Sequence, residues 1–265
     1  MSKTITLHIL GTCGGAEPIP GRHHTALAID YDQRLFWFDA GETCSYNAHI
    51  AGMDLASTEG IFISHTHMDH IGGLPNLLWT LRKLTLVSEQ ARSKLTDRKI
   101  NIFIPDMTVY EGILAMLRGA EGGFNPVFAL MPMSCGDGVV YDQKGLRVIA
   151  QHNAHLGTSE PFRSYSFRIE AGGKVIVYSG DVKSIRDIET LIDGTDLLLM
   201  ETGHHRVDEV CRYLKTSGKN FGKLVFIHHG RAILQDPEGQ LLKAQDILGD
   251  KVIIAFDGMI INLQQ

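Results

Sequence analysis

Short runs of apolar and β-branched residues recur along the chain, and this pattern predicts β-strands. The first run, residues 5–10, alternates between apolar and polar positions as a half-buried strand does. The predicted strands cover residues 5–10, 26–30, 35–38, 60–64, 100–104, 146–150, 164–169, 174–179, 196–200, 224–227 and 252–256.

A second pattern places apolar residues three or four positions apart and predicts helices. It is clearest at the leucines of residues 74–84 and recurs over residues 109–117, 207–214 and about 240–248. The early strands follow one another closely, whereas the later strands alternate with helices. We therefore predict an α/β protein in which two mixed sheets pack together under covering helices. No linker or internal repeat is visible, so we expect a single domain over residues 1–265.

Composition and charge limit the classes of protein and of partner that fit this chain. The chain has 265 residues, 44% of them hydrophobic, which is enough for one large core. Its four cysteines form no C-x-x-C pair, which argues against a zinc knuckle or a disulfide framework. The formal charge of −5 does not favour nucleic acid, although a local basic patch remains compatible with it. Because no export signal or membrane-spanning run is visible, we expect a cytoplasmic protein without a membrane partner.

The strongest chemical signal is the motif H-T-H-M-D-H at residues 65–70, which directly follows a predicted strand. Imidazole nitrogens and carboxylate oxygens are natural ligands of zinc and similar divalent cations. Four ligands within six residues are too many for one metal ion that must also bind substrate. We therefore expect two metal ions, one held by His65 and His67 and the other by Asp69 and His70.

Further ligands are expected where other predicted strands end. One strand leads to His152 and His155, and we prefer His155 because it leaves room for the strand to finish. Another ends in a glycine followed by Asp181, a carboxylate that can bridge two cations without crowding them. A third leads to a histidine pair, of which we predict His228 as the ligand of the second ion and His229 as a hydrogen-bonding neighbour.

These residues, in this order, resemble the metallo-β-lactamase superfamily, and the resemblance covers nearly the whole chain. Within that superfamily the chain looks most like the ribonuclease Z and phosphodiesterase branch. The motifs that carry the resemblance are H-x-H-x-D-H, S-G-D at 179–181, L-G-T at 10–12, P-I-P-G-R at 18–22, F-D-A-G-E at 38–42, G-L-P at 73–75 and D-G-M at 257–259.

The resemblance implies a four-layer αββα sandwich with a dinuclear site at the edge where the two sheets meet. It supports Asp181 as the bridging ligand and His228 as the last ligand, and it implies a homodimer. A histidine shortly before a helix handles the scissile phosphate or protonates the leaving group in the ribonuclease Z branch. His205 or the adjacent His204 resembles it, and we assign the catalytic role to His205, with Glu201 able to orient it. Local hydrogen bonds at a helix start are the alternative role for this pair.

Some residues depart from the ribonuclease Z pattern. Its usual threonine–glutamine pair is replaced after Glu42 by Thr43 and Cys44, and its arginine–asparagine pair becomes Arg22-His23. No long, basic Gly/Pro-rich insertion of the kind that grips tRNA is present. These departures favour a general phosphodiesterase over an enzyme of tRNA maturation.

The predicted function is therefore a dinuclear metal-dependent hydrolase, with zinc as the default metal and manganese or iron also compatible. A metal-bridging hydroxide would cleave a phosphodiester in RNA or in a small nucleotide-like molecule, and Asp69 is a candidate proton acceptor. One alternative is a hydrolase of a lactone, thioester or β-lactam. A second is a non-hydrolytic metal- or ligand-sensing or di-iron redox protein on the same fold.

Overall fold

The computed structural model describes residues 4–120 and 122–264, and most of the strands found there were predicted by the hydrophobic pattern. The strands are β1 (Ile5–Gly11), β2 (Ala26–Tyr31), β3 (Arg34–Ala40), β4 (Thr58–Phe62), β5 (Lys99–Ile104), β6 (Ala129–Ser134), β7 (Gly138–Gln143), β8 (Leu146–His152), β9 (Tyr165–Ala171), β10 (Lys174–Tyr178), β11 (Thr195–Thr202), β12 (Phe221–His229), β13 (Val252–Ile254) and β14 (Met259–Leu263).

The helices connect these strands, and the longer ones coincide with the predicted segments. They are α1 (Cys44–Ile50), α2 (Met68–Ile71), α3 (Leu74–Val87), α4 (Glu89–Leu95), α5 (Met107–Gly119), α6 (Glu189–Ile192), α7 (Val207–Thr216), α8 (Arg231–Gln235) and α9 (Pro237–Leu248). None of the helices in the described part of the chain is both long and apolar enough to span a membrane.

The strands form two seven-stranded sheets of mixed direction. The first has the order β14-β1-β2-β3-β4-β5-β6, and the second has the order β13-β12-β11-β10-β9-β8-β7. In each sheet one half is antiparallel and the other is parallel: β3, β4, β5 and β6 run parallel in the first, and β10, β11, β12 and β13 in the second. Parallel strands place their carboxyl ends at the same edge, where polar side chains can meet.

Three apolar clusters define the layers. The central cluster joins the inner faces of both sheets, with Phe38 and Phe62 of the first sheet packed edge-on against Phe167 of the second. A second cluster lies between the first sheet and α3 with its neighbours, and a third lies between the second sheet and α7 and α9. The order of layers is therefore helix, sheet, sheet, helix, as predicted. The expectation of one domain over residues 1–265 stays a prediction.

Three strands were not predicted from the sequence: β6, β7 and β14. Two of them, β6 and β7, are mostly exposed edge strands, and β6 contains Pro132, which has no N–H to donate to a neighbouring strand. Residues 135–137 connect these two edges and so link the two sheets. The alternation that marks a half-buried strand is weak at such edges.

Candidate metal centre

The predicted ligands converge at one end of the sandwich, because each follows or ends a strand. The motif at residues 65–70 comes just after β4, and Asp181 comes just after β10. His155 lies in the loop after β8, and His228 is the second-last residue of β12. The residues brought together there are His65, His67, Asp69, His70, His155, Asp181 and His228.

Four of these side chains form a first donor group, namely His65, His67, His155 and Asp181. His67 Nδ1 lies 3.0 Å from His65 Nε2 and 3.5 Å from His155 Nε2. Asp181 Oδ2 lies 3.7 Å from the Nε2 atoms of both His65 and His155. A tetrahedral zinc ion about 2.0–2.1 Å from each ligand requires ligand atoms roughly 3.3 Å apart, so this group has the right size for one ion.

Asp69, His70 and His228 form a second donor group beside the first. Asp69 Oδ2 lies 3.2 Å from His228 Nε2 and 3.6 Å from His70 Nε2. The other oxygen of Asp181, Oδ1, lies 3.3 Å from His70 Nε2 and 3.2 Å from His228 Nε2. The Asp181 carboxylate therefore directs one oxygen to each donor group.

The hydrogen bonding of the second group fits a cation. Within the described part of the chain, His70 Nε2, Asp181 Oδ1 and His228 Nδ1 are buried and make no well-directed hydrogen bond. Buried polar atoms without a partner carry a desolvation cost. Since His70 Nε2 and Asp181 Oδ1 face each other across the second group, a cation held there would satisfy both. The two histidine and aspartate groups can thus hold divalent metal.

A buried carboxylate to which the sequence alone gives no role, Asp39, orients the ligands. It is fully buried near the end of β3, where its Oδ2 accepts hydrogen bonds from His70 Nδ1 (2.6 Å), from Ser64 Oγ (2.6 Å) and from the Tyr178 hydroxyl. Its Oδ1 accepts from the Ser64 backbone N–H at 2.6 Å. Ser64 Oγ in turn lies 3.1 Å from His65 Nδ1. These contacts leave the Nε2 atoms of His65 and His70 facing the donor groups.

The ionisation of Asp181, His65 and Asp69 suits metal binding, whereas the carboxylates of Asp181 and Asp39 overcome burial and raise the pKa of His70, so a cation there would displace a proton. Burial opposes charge on Asp181, but the adjacent imidazoles of His70 and His228 outweigh it and hold the pKa of the carboxyl well below its usual range. Burial and the neighbouring His70 lower the pKa of His65, which keeps this imidazole neutral. For Asp69, hydrogen bonding from His228 and the nearby His70 overcome burial and lower the pKa. Ionised carboxylates and a neutral imidazole are the forms that bind metal.

The glycine before Asp181 permits the turn that presents this carboxylate. Gly180 has φ of +56°, a left-handed conformation that residues with a side chain seldom adopt. A Cβ atom there would lie 2.8 Å from the Tyr165 carbonyl oxygen and 2.9 Å from Ser64 Cβ. The backbone after β10 can therefore approach the motif loop closely, and it brings Asp181 between the two donor groups.

The structure separates the two histidines that the sequence left open after β8. His155 lies in the first donor group, whereas the His152 ring stacks on Phe162 at a centroid distance of 3.7 Å. His152 Nδ1 lies 2.6 Å from Asp137 Oδ2 on the partly exposed surface. His229 is also turned away from the donor groups, since its Nε2 donates to the Ala255 carbonyl at 2.8 Å.

The second open pair, His204 and His205, is likewise separated. His204 Nδ1 lies 3.8 Å from Asp181 Oδ2 and 3.1 Å from Glu201 Oε1, and half of the side chain is exposed. His205, the residue preferred from the sequence, donates from Nε2 to the Val182 carbonyl at 2.9 Å and lies 3.3 Å from Glu201. Hydrogen bonding to Glu201 raises the pKa of His204. His204 is therefore the member of the pair that reaches the cluster.

Comparison with known proteins places this geometry in a family. Residues 37–254 match the family model described as a beta-lactamase superfamily domain, which spans most of the chain. The chain belongs to the beta-lactamase superfamily. A metallo-beta-lactamase fold protein from Bacillus subtilis, YhfI, superposes with a TM-score of 0.76 over 98% of this chain and 100% of that protein, at 16% identity. The predicted αββα fold is confirmed.

Sequence relatives within the beta-lactamase superfamily are named Ribonuclease Z. The protein of that name from Treponema pallidum is 42% identical over 94 residues, which cover 36% of this chain and 28% of that protein. The one from Shouchella clausii is 24% identical over 98% of this chain and 97% of that protein. These names confirm the predicted resemblance to the ribonuclease Z branch.

Gly203 lies so close to His228 of the second donor group that a side chain at this position should disturb metal binding. A Cβ atom on Gly203 would lie 2.6 Å from His228 Nδ1. We expect Gly203→Ala to displace the His228 ring and weaken binding of one zinc ion by about 10- to 100-fold, as changes that misorient a ligand do. Competition titration with a chelating dye measures the affinity.

The matched control is Gly136→Ala, since a Cβ atom at Gly136 meets nothing within 4 Å. It should bind zinc as the wild type does. Unchanged zinc affinity in Gly203→Ala would show that metal binding by His228 does not depend on its close packing against Gly203.

Proposed function

We propose that this protein is a metal-dependent phosphodiesterase whose active centre holds two divalent cations. The observation that carries the proposal is the position of Asp181, whose two oxygens lie 3.2–3.7 Å from the imidazole nitrogens of two separate donor groups. His65, His67 and His155 would hold one cation with Asp181, and Asp69, His70 and His228 would hold the other. Nitrogen and carboxylate ligands without a thiolate suit zinc first, and also manganese or iron.

When bound, such cations lower the pKa of a water molecule and neutralise charge that develops on a phosphoryl group. The chain's own residues prepare the rest of the reaction. Asp69 is held in place because its Oδ2 accepts the Gly15 backbone N–H at 2.6 Å. We assign acceptance of a proton from the attacking water to Asp69 because of its position, since its Oδ2 lies 3.6 Å from His70 Nε2 and 3.2 Å from His228 Nε2.

Protonation of the leaving oxygen is assigned to His204. Glu201, which is fully buried, accepts the His204 backbone N–H at 2.9 Å and lies 3.1 Å from its Nδ1. This pairing fixes the imidazole beside Asp181 and raises its pKa, so the proton is retained for transfer. His205, the residue preferred from the sequence, reaches Glu201 but donates to a backbone carbonyl, and it would act by holding Glu201 and the following loop.

The substrate class follows from the relatives and from the charge. Relatives named Ribonuclease Z support a phosphodiester as the bond that is cleaved. The formal charge of −5 and the departures from the ribonuclease Z motifs favour a small nucleotide-like diester over a large RNA, with RNA as the alternative. The homodimer and the cytoplasmic location implied above stay predictions.

The proposal is tested by metal analysis and activity on the same preparation. We expect two metal ions per chain and hydrolysis of bis-p-nitrophenyl phosphate, with Asp69→Ala losing both the second ion and the activity. A lactone and a β-lactam are assayed in parallel. Turnover of those substrates without any diester cleavage would move the function to another bond, and a chain without bound metal would refute the proposal.

The leaving-group role makes a separate prediction. His204→Gln should lower kcat for a diester with a poor leaving group, such as a dinucleotide, by roughly 10²- to 10⁴-fold. It should have little effect on bis-p-nitrophenyl phosphate, because p-nitrophenolate leaves without a proton. The same pair of substrates is measured with His205→Gln. If His205→Gln shows the selective loss and His204→Gln does not, the assignment between the two histidines is reversed.

A further inference from the structure

A basic pocket lies beside the metal centre and has no role in the mechanism described above. The cavity has a volume of about 330 Å³, and we define the basic pocket by Arg206, Arg231 and Lys243, which line it together with Gly203 and His204. Gly203 contacts the His228 ring and His204 approaches Asp181, so one wall of the pocket is shared with the metal centre. A group bound in the pocket would therefore neighbour the group being cleaved.

Three separate elements place the basic side chains around this cavity. Arg206 directly precedes α7, Arg231 is the first residue of α8, and Lys243 lies on α9. Helices α7 and α9 pack against each other through the apolar cluster that covers the second sheet. This packing of α7 against α9 fixes the backbone that carries Lys243 and the backbone next to Arg206, and all three basic residues line one cavity.

The existing partners of these cations are weak competitors for a ligand. Arg231 lies 2.7 Å from Glu17 Oε2, but both side chains are mostly exposed. Arg206 is also exposed, and it contacts the mostly buried Asp208 at 3.2 Å and the exposed Glu209 at 3.8 Å. Within the described part of the chain, Lys243 has no ion pair. Ion pairs with an exposed partner contribute little to stability, so a phosphate that contacts two or three of these cations can compete with the carboxylates for them.

We propose that the basic pocket binds a second phosphate group of the substrate, next to the phosphodiester that is cleaved. The inference rests on the proposed phosphodiesterase function and narrows its substrate class to diesters with a neighbouring phosphate, as in an oligonucleotide or a nucleotide phosphorylated at two positions. Arginine can contact phosphate oxygens through two N–H groups, and lysine supplies a mobile point charge. The net charge of −5 does not oppose this, because the field that acts on a phosphate is local.

The kinetic test compares two substrates that differ only in neighbouring phosphates. The dinucleotide thymidylyl-thymidine is assayed without terminal phosphates and with a phosphate at both ends, by chromatography of the products. We expect kcat/KM of the wild type to be roughly tenfold higher for the phosphorylated form, as one or two charge-assisted hydrogen bonds would give. The Arg231→Gln/Lys243→Gln double variant should lose this preference and keep the wild-type rate on the unphosphorylated form.

A matched double variant, Lys83→Gln/Lys215→Gln, removes the same charge from exposed positions outside the pocket and should keep the preference. Equal rates of the wild type on both dinucleotides would overturn the inference. An equal fall in kcat/KM on both dinucleotides in Arg231→Gln/Lys243→Gln would also overturn the inference.

A binding measurement separates this inference from the proposed function. Titration calorimetry with inorganic phosphate should show, in the wild type and in Asp69→Ala, one binding event that is absent from Arg231→Gln/Lys243→Gln, apart from any phosphate bound at the metal centre. The same number of phosphate-binding events, with the same affinities, in the double variant and the wild type would overturn the pocket assignment. If neither dinucleotide is cleaved, the phosphodiesterase proposal fails, and the calorimetry alone then decides whether the basic pocket binds phosphate.

Discussion

An Asp181→Ala variant is expected to lose metal from both donor groups and to lose nearly all hydrolytic activity. The carboxylate gives one oxygen to each group, so its removal takes a ligand from both. Several kcal/mol of transition-state stabilisation are attributed to metal cations in such sites, which corresponds to a fall in kcat/KM of about 10³-fold or more. Zinc titration of the metal-free protein, followed by the diester assay, measures both effects.

Two single-group variants serve as comparisons for Asp181→Ala. His67→Ala removes a ligand from the first donor group alone, and Asp69→Ala removes one from the second. Each variant should bind one zinc ion more weakly than the wild type does and bind the other with nearly the wild-type affinity. An Asp181→Ala protein that still bound two zinc ions and retained full activity would refute the bridging role.

The second large effect is expected from Asp39→Asn, although Asp39 is not a proposed ligand. Asparagine tolerates the left-handed backbone of this position, where φ is +59°, so the loop is preserved. Asp39 Oδ2 accepts hydrogen bonds from Ser64, His70 and Tyr178. An asparagine NH2 group in its place cannot accept these hydrogen bonds, because it is itself a donor. We expect zinc affinity and activity to fall about 10- to 100-fold, as for other changes to groups that orient metal ligands.

The change should also lower the free energy of unfolding by roughly 3–5 kcal/mol, since it breaks a buried network of charged groups. Chemical denaturation measures this effect. The surface pair Asp137 and His152 offers a control, because its Oδ2–Nδ1 distance is also 2.6 Å but its side chains are 50% and 39% exposed. Asp137→Asn should change neither stability nor zinc affinity appreciably. Equal effects of the two substitutions would remove the special role of Asp39.

Much of the fold and of the candidate site could be predicted because the chemistry is local to strand ends. A histidine or aspartate directly after a buried strand must lie at a sheet edge, and for this reason the sequence predicts that His65, Asp181 and His228 lie together. The apolar periodicity predicted the two-sheet architecture in the same way, since buried faces repeat every second residue in strands and every three or four in helices.

Loop paths and contacts between sheets could not be predicted in this way. Which of two histidines reaches the centre, His155 against His152 or His204 against His205, depends on the turn that the loop takes after its strand. The role of Asp39 depends on Tyr178, which lies 139 positions later and reaches it from the opposite sheet. The sequence shows a carboxylate at the end of a strand, but it does not show which donors surround that carboxylate.

The presence of two distinct cation sites joined by Asp181 is tested most directly by anomalous X-ray diffraction from zinc-loaded crystals of the wild type. We expect two anomalous peaks per chain. One peak should be enclosed by His65, His67 and His155, and the other by Asp69, His70 and His228, with Asp181 between them. A single peak, or peaks outside these two donor groups, would contradict a dinuclear centre built by these residues.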